Sequence, residues 1–398
     1  MELFLQMGHG MQSMAIELVK KWNKGTLILS PVNIAPDKIC GYAERVRKVG
    51  GKILFDPQMF YPKEGHVKLQ KYDYWPTDNA SIGTEHTTKS IVRELVKINA
   101  SLCTEKIILP SIEMNDMKLR YGYEFISSCT NYVRQTSNKK ILATICLYPE
   151  IIRSQETLEI IIENLKSLPV DGFYIVPHPP NGEYIVSDYL WMMGMLKLVT
   201  CLKLNNKYVI VGYSNHQSLI YATSKVDAIA SGTFMNTRSF NPAKFKSPKD
   251  DDIKQKSKWY YSPAAMCEYK AALLDVAKQR GFLDMFMPQG NFCNPYSEML
   301  FKGAMPSSTN YNETNSFKHY LWCLNEQCSM LPTESYKKCY DTYNFMLDSA
   351  EQQSGEFKKK GIRGQNRDFT PALEVNRMAL VSVEEDYGFR LQLDWNNI

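Results

Sequence analysis

Asp56 ends the apolar run Lys52-Ile53-Leu54-Phe55 and stands directly before Pro57 and Gln58. Such a run reads as a short strand, and a residue preceding proline is pushed into extended backbone, so the carboxylate is fixed at a strand's end. A carboxylate held in that way can act as a nucleophile or as a general base. The plainer role is to cap the following loop, as Asp often does before Pro. Other apolar runs also end in polar residues: His9, Ser30, Ser111, Glu113, Tyr148, His178, Ser214-Asn215-His216, and then Asn236 and Arg238. His178 lies in Val-Pro-His-Pro-Pro, where the flanking prolines fix its backbone. Ser214, Asn215 and His216 offer a hydroxyl, an amide and an imidazole, suited to hydrogen-bonding a polar ring or, more plainly, to capping a helix. Arg238 suits a phosphate or a structural ion pair.

The stretch from Pro57 to Thr87 shows no periodicity, and loops of that length in a compact domain are usually functional or disordered. It carries Phe60, Tyr61, Tyr72, Tyr74 and Trp75, with Lys63, Lys68 and Lys71 between them, and two histidines, His66 and His86. That is too aromatic for a disordered segment. Aromatic faces beside lysines suit a flat ring or a nucleobase next to phosphate, with Gln58, Phe60, Tyr74 and Trp75 as contacts. The alternative is a lid that packs on its own aromatics.

These residues need a frame that gathers strand ends. Short apolar runs alternate with longer amphipathic ones through the first 240 residues. The strands are read at Glu2–Met7, Thr26–Leu29, Lys52–Phe55, Lys106–Leu109, Lys140–Leu147, Gly172–Val176 and Tyr208–Val211, with an eighth beginning at Ala228–Ala230. Helices are read near Gln12–Asn23, after Pro36, and near Thr88–Leu102, Asp116–Gln135, Ser154–Ser167, Asp188–Leu202 and Gln217–Ser224. Repeated strand–helix units imply a parallel sheet covered on both faces, and eight of them are the number that closes a (β/α)8 TIM-type barrel. A doubly wound open sheet is the competitor, and no Gly-x-Gly-x-x-Gly follows any strand to support a dinucleotide site within one. In a barrel the chemistry lies at the C-terminal strand ends, where all the polar residues above fall.

Residues 1–240 are therefore expected to form the barrel and 241–398 a mainly helical C-terminal extension. The join, Asn241–Lys258, is polar and carries Lys249-Asp250-Asp251-Asp252. In the extension Ser262-Pro263 predicts a helix start, with the helix running to about Arg280. Further helices are predicted near Phe317–Cys328 and Ser335–Lys360, and the alternation of Phe389, Leu391, Leu393 and Trp395 predicts a strand.

The chain has 398 residues, with 44% hydrophobic and 22% charged, which excludes disordered, collagen-like and small disulfide-scaffold classes. A net charge of +5 permits a nucleic-acid partner without arguing for one. The ten cysteines are scattered, none in Cys-x-x-Cys, which predicts reduced thiols and a cytoplasmic protein. His319, Cys323, Cys328 and Cys339 cluster loosely, at a spacing that matches no familiar zinc pattern, so no metal is expected. No signal peptide, membrane span or P-loop is read, and no cofactor is predicted.

The strand-end residues resemble those of the tRNA-guanine transglycosylases, including relatives that insert 7-deazaguanine bases into DNA. Asp56-Pro57-Gln58-Met59-Phe60 is similar to the family's Asp-Ser-Gly-Gly-Phe-Gln motif. Val211-Gly212-Tyr213-Ser214-Asn215-His216, followed by Val226-Asp227-Ala228-Ile229, resembles its Val-Gly-Thr-Pro-Glu-Asp stretch and the strand after it, and Thr237-Arg238 resembles the Thr-Arg that closes that strand. Trp259-Tyr260-Tyr261 and Gly361 to Phe369 are most like the DNA-acting branch. The resemblance spans about residues 50–240 and implies a barrel enzyme that exchanges guanine in nucleic acid, DNA rather than tRNA, for a 7-deazaguanine base. It implies Asp56 as the catalytic carboxylate and nucleic acid as the partner, with His9, Gln58, Phe60, Tyr74, Trp75, His178, Ser214, Asn215, His216, Asn236 and Arg238 in binding. The family's Cys-x-Cys-x-x-Cys zinc motif is absent, and where its nucleophilic Asp lies in the last strand this chain has Ala230-Ser231-Gly232. Two other expectations remain open: a barrel enzyme for a small nucleoside, sugar or phosphorylated metabolite, and a non-catalytic barrel subunit that binds nucleic acid.

Overall fold

The computed structural model describes residues 1–62, 66–76, 82–246 and 257–398. Lys63 of the aromatic loop and the run Lys249 to Asp252 lie outside the described residues. Eight parallel strands form a nearly closed (β/α)8 barrel: β1 (Glu2–Gln6), β2 (Thr26–Leu29), β3 (Lys52–Phe55), β4 (Lys106–Leu109), β5 (Lys140–Ile145), β6 (Gly172–Ile175), β7 (Tyr208–Val211) and β8 (Ala228–Ser231). The hydrogen-bonded order is β3-β2-β1-β8-β7-β6-β5-β4, so the first strand pairs with the last and the one seam falls between β3 and β4. Above that seam Glu113 N donates to Phe60 O at 3.0 Å, which ties the loop after β3 to the chain leaving β4.

Alternation along the strands explains the two faces. Leu3 and Leu5 point outward against helices, while Phe4 points inward with Ile28, Leu54, Ile108, Leu142, Tyr174, Ile210, Ala228 and Ala230. The small Ala228 and Ala230 leave room for the large Tyr174 from β6. Gly172 is required on the same strand, since a Cβ there would fall 2.1 Å from Tyr208 O.

The outer layer contains α1 (Gln12–Trp22), α2 (Pro36–Lys48), α3 (Glu85–Ser101), α4 (Leu119–Thr136), α5 (Pro149–Arg153), α6 (Gln155–Ser167) and α7 (Tyr189–Leu204), followed by a 3-10 helix at His216–Ser224 and a short α8 (Met235–Arg238). Thr84, Ser154 and Asp188 cap α3, α6 and α7 through their side chains, each accepting from the backbone N–H three residues on. α7 is apolar on nearly every face, because it lies beneath another helical layer.

That layer is the extension. A hairpin of β9 (Trp259–Ser262) and β10 (Cys267–Lys270) leads into α9 (Ala271–Gln279), then α10 (Glu313–Met330), α11 (Tyr336–Lys359) and α12 (Thr370–Asp394). α12 lies along α7, and one apolar core runs without a break from barrel to extension. The predicted helix from Ser262 is instead this hairpin followed by a shorter helix. Met266 takes φ +49°, turning the chain so that Tyr260, Tyr261 and Tyr269 are all buried. The predicted strand at Phe389–Trp395 is the end of α12: Leu391 is buried while Phe389 and Leu393 face solvent, a helical distribution that mimics alternation. No helix among the described residues is long and apolar enough to cross a membrane.

Candidate active site

Asp56 leaves β3 into the barrel mouth with no solvent exposure. Its Oδ1 accepts from Gln58 N at 2.9 Å. Its Oδ2 lies 3.2 Å from both the Tyr174 and the Tyr213 hydroxyls. Tyr174 Oη is also 2.9 Å from Gln6 Oε1, and the hydroxyl has one proton to give. When that proton goes to Gln6, the contact with Asp56 needs the carboxyl to carry a proton of its own. Burial agrees, pushing the Asp56 pKa up to about 7 against the downward pull of the Gln58, Tyr213 and Tyr174 hydrogen bonds.

Gln58 is locked behind Asp56. Its Nε2 donates to Tyr213 Oη at 3.0 Å, and its Oε1 accepts from Ser30 Oγ at 2.9 Å. Both Gln58 (φ +54°) and Tyr213 (φ +49°) adopt the left-handed region, an unfavourable conformation for residues with side chains of this size. Gln58 thus orients Asp56 and Tyr213 with both ends of its amide already engaged.

A second buried carboxylate, Glu113, follows β4 and is 1% exposed. Its Oε1 lies 2.5 Å from His178 Nδ1, and its Oε2 accepts from the Tyr61 hydroxyl. Burial raises its pKa, but hydrogen bonds from His178 and Tyr61, with the imidazole's charge and Tyr148, outweigh that and hold it below the usual carboxylate range. His178 is fixed in turn, its carbonyl accepting from Trp191 Nε1 at 2.9 Å. Cys146 is fully buried and senses both acids: burial first, then Glu113 and Asp56, push its thiol pKa well up. One mouth therefore holds two carboxylates biased in opposite directions. Phe60, Phe240, Phe245 and the Tyr213 ring cover it, with Phe60 at 4.9 Å from Phe245 and 5.1 Å from Phe240 between ring centroids.

The structure brings Asp56, Gln58, Phe60 and His178 together, and places other predicted contacts elsewhere. Tyr74 and Trp75 are buried in the core behind the mouth. Tyr74 packs edge-on to Phe55 and donates to Pro57 O at 2.7 Å, so it buttresses the turn at Asp56. Tyr72 donates to Ile34 O, and this part of the loop packs on its own aromatics. His9 is exposed on the loop after β1, and Asn236 is half-buried on α8.

Ser214 donates back to Val211 O at 2.9 Å. Asn215 caps the following 3-10 helix through Gln217 N and donates to Tyr184 O. His216 is fully buried among Tyr184, Tyr261, Tyr320 and Phe369, and burial lowers its pKa to about 4. Of these, His216 joins the barrel to the extension, its backbone N–H donating to Tyr320 Oη at 3.1 Å. Arg238, expected to meet phosphate, is 2% exposed and pairs with Glu268 at 3.2 Å, its guanidinium 3.4 Å from the Tyr320 ring centroid. Arg367 pairs with the same Glu268 at 2.6 Å, and Tyr184 donates to it at 2.8 Å. This buried network pins β10 to the end of β8.

His319 and Cys323 share one face of α10, but the imidazole is engaged: Nε2 lies 2.8 Å from Tyr261 O and Nδ1 2.9 Å from Asn294 Nδ2. Among the described residues no group of three or more His, Cys, Asp or Glu side chains is placed to hold a metal ion. Reading strand ends alone did not single out Tyr174 and Tyr213. Tyr174 lies inside a strand, where the inward register of a hydroxyl-bearing residue was the available signal.

No protein-family model matches the chain, and no curated protein matches it. Solved structures that resemble it include active domain 2 of a thermostable chitinase from Pyrococcus furiosus. That pair has 12% identity and a TM-score of 0.34, covering 58% of this chain and 82% of that one. A glucosidase from Croceicoccus marinus gives 11% identity and a TM-score of 0.34, covering 56% of this chain and 58% of that one. Likeness at that level carries no functional argument.

Proposed function

We propose that the barrel mouth exchanges a base at a glycosidic bond, replacing guanine in nucleic acid, DNA in the first instance, with a 7-deazaguanine base. The observation that carries this reading is the pair of buried carboxylates under an aromatic cover: Asp56, with a pKa of about 7, and Glu113, held ionised by His178 and Tyr61. A carboxyl that titrates near neutrality can both take and give a proton. Asp56, starting protonated, would give its proton to N9 of the departing guanine as that C–N bond breaks and take one back from N9 of the incoming base as the new bond forms. One C–N bond breaks, one forms, and the proton count is unchanged. Glu113, an ionised acceptor, suits the N–H groups on the edge of a guanine-type ring, and the phenyl and phenol rings suit its faces. Ala230-Ser231-Gly232 carries no carboxylate, and among the described residues Asp56 and Glu113 are the buried acids gathered at the mouth. The likeness to transglycosylase motifs around Asp56 agrees with this assignment.

The test is incorporation of labelled guanine into duplex DNA and into tRNA by the full chain, its Asp56→Asn variant and its Glu113→Gln variant. Exchange into DNA that falls by a factor of about 100 or more in Asp56→Asn is expected, in line with loss of an acid–base group. Undiminished exchange in that variant, or turnover of free nucleosides in place of polynucleotide, would overturn the reading.

A further inference from the structure

The chain leaving α8 folds back across the barrel mouth. Phe240 and Phe245 are 1% and 4% exposed, and they stack on each other at 5.5 Å and 17°. Phe240 also meets Tyr213 at 5.4 Å and His178 at 5.7 Å, and Phe245 meets Tyr213 at 6.2 Å. The two rings thus touch the partner of Asp56 and the partner of Glu113 at once, and with Phe60 they separate both carboxylates from solvent.

Among the described residues, the backbone hydrogen bonds of the segment that carries them close on itself: Ala243 N donates to Asn241 Oδ1 at 3.0 Å, Lys244 N to Asn241 O at 3.2 Å, and Phe245 N and Lys246 N to Pro242 O at 3.0 and 3.2 Å. It meets the loop after β3 through a hydrogen bond between His66 and the Lys244 backbone, and through Lys246 Nζ over the Tyr61 ring at 4.7 Å. Lys246 is exposed, and a cation–π contact at an exposed site is weak. What holds the segment down is ring-on-ring burial, and a flat heterocycle offers the same faces.

We propose that Phe240–Lys246 is a strap that closes the mouth by placing two phenyl rings where the planar ring of the substrate lies, and that it lifts to admit that ring. The identity of the ring as a guanine-type base rests on the function proposed above; the closure does not. Exchanging one aromatic contact for another keeps apolar burial nearly constant, so opening costs little once a ring is bound. Tyr61 joins the strap to the chemistry, since Lys246 covers its ring while its hydroxyl serves Glu113. Such gating excludes water while the site is empty and makes access conditional on a ring of the right size.

Cys146 reports on the strap because it is buried under these rings, whereas Cys129 and Cys328 are buried elsewhere. Alkylation of each cysteine by N-ethylmaleimide would be followed by peptide mass spectrometry in the full chain and in a Phe240→Ala/Phe245→Ala variant. Cys146 is expected to react at least about 10-fold faster in the variant, with Cys129 and Cys328 unchanged, as local opening requires. An unchanged Cys146 rate, or one that rises in step with Cys129 and Cys328, overturns the strap. Added guanine is expected to slow Cys146 again in the variant. Acceleration without protection by guanine upholds the strap and counts against the base-exchange reading.

Discussion

Replacing Asp56 by Asn should remove one pH-dependent contribution to the stability of the fold. In the unfolded chain this carboxyl ionises near its ordinary 3.8; in the fold burial holds the proton on until about pH 7. Between those values the folded form binds more protons than the unfolded one. The contribution of Asp56 to stability therefore falls as pH rises from about 4 to about 7 and levels off above that. The distance between the two values corresponds to about 4 kcal/mol, a ceiling for a group with no solvent exposure. Asn is the shape of the protonated acid. Its oxygen can accept from Gln58 N and its amide can donate to Tyr174, which can donate to Gln6 instead, while the Tyr213 hydroxyl loses Asp56 Oδ2 as its acceptor. The assay is urea unfolding of parent and Asp56→Asn across that pH range. The variant is expected to lie below the parent by about 1 kcal/mol near the acid end, for the lost Tyr213 hydrogen bond, and to gain on it by up to about 4 kcal/mol by about pH 8. Curves that stay parallel to within about 1 kcal/mol would show that Asp56 is ionised in the fold and would refute the proton-shuttle role assigned to it.

Three further outcomes follow from the packing and the site. Arg238→Ala leaves Glu268 buried with Arg367 as its remaining cation and should cost about 3–5 kcal/mol, measured by urea or thermal unfolding. Gly194→Ala would set a Cβ 2.0 Å from the Ile152 carbonyl oxygen, forcing α7 away from α5; a loss of about 1–3 kcal/mol is expected in the same assay. Glu113→Gln keeps the shape but removes the anion facing His178, so guanine exchange should fall while the circular dichroism spectrum is unchanged.

The barrel was legible because every strand is a short apolar run between polar punctuation, and eight such runs alternating with amphipathic helices admit few arrangements. The extension was less legible. Ser262-Pro263 carries a genuine helix-start signal, which the aromatic strands on either side override by pairing. The alternation at the end of α12 arises from a helix with one buried and two exposed apolar residues. The strand-end rule located Asp56, Glu113 and His178, since it depends only on where each run stops. It also drew in Ser214 and Asn215, whose hydrogen bonds close on the barrel itself, and His216 and Arg238, which meet the extension. The ends of β7 and β8 are covered by the extension, and whether a strand end faces solvent or another layer is a tertiary fact. Phe240 and Phe245 escaped notice because they follow the last strand, in a polar stretch with no period of its own.

The choice of residue at position 56 is itself an argument for chemistry. All but one of the hydrogen bonds made there in the neutral form are open to an amide, the exception being the one accepted from Tyr213, and an amide would avoid the pH-dependent cost worked out above. A carboxylate adds one property, the capacity to change protonation near neutrality, at the expense of stability. Glu113, close to the same thiol, is driven the other way by an imidazole and a phenol. A single environment that separates the proton affinities of two acids is what divided acid and base duties require. Packing would be served as well by uncharged side chains at both positions. The tyrosines sharpen the point. Tyr174 can turn its hydroxyl toward Asp56 or toward Gln6, so the surroundings of Asp56 tolerate either protonation state without moving a heavy atom. That tolerance has value only where the proton comes and goes.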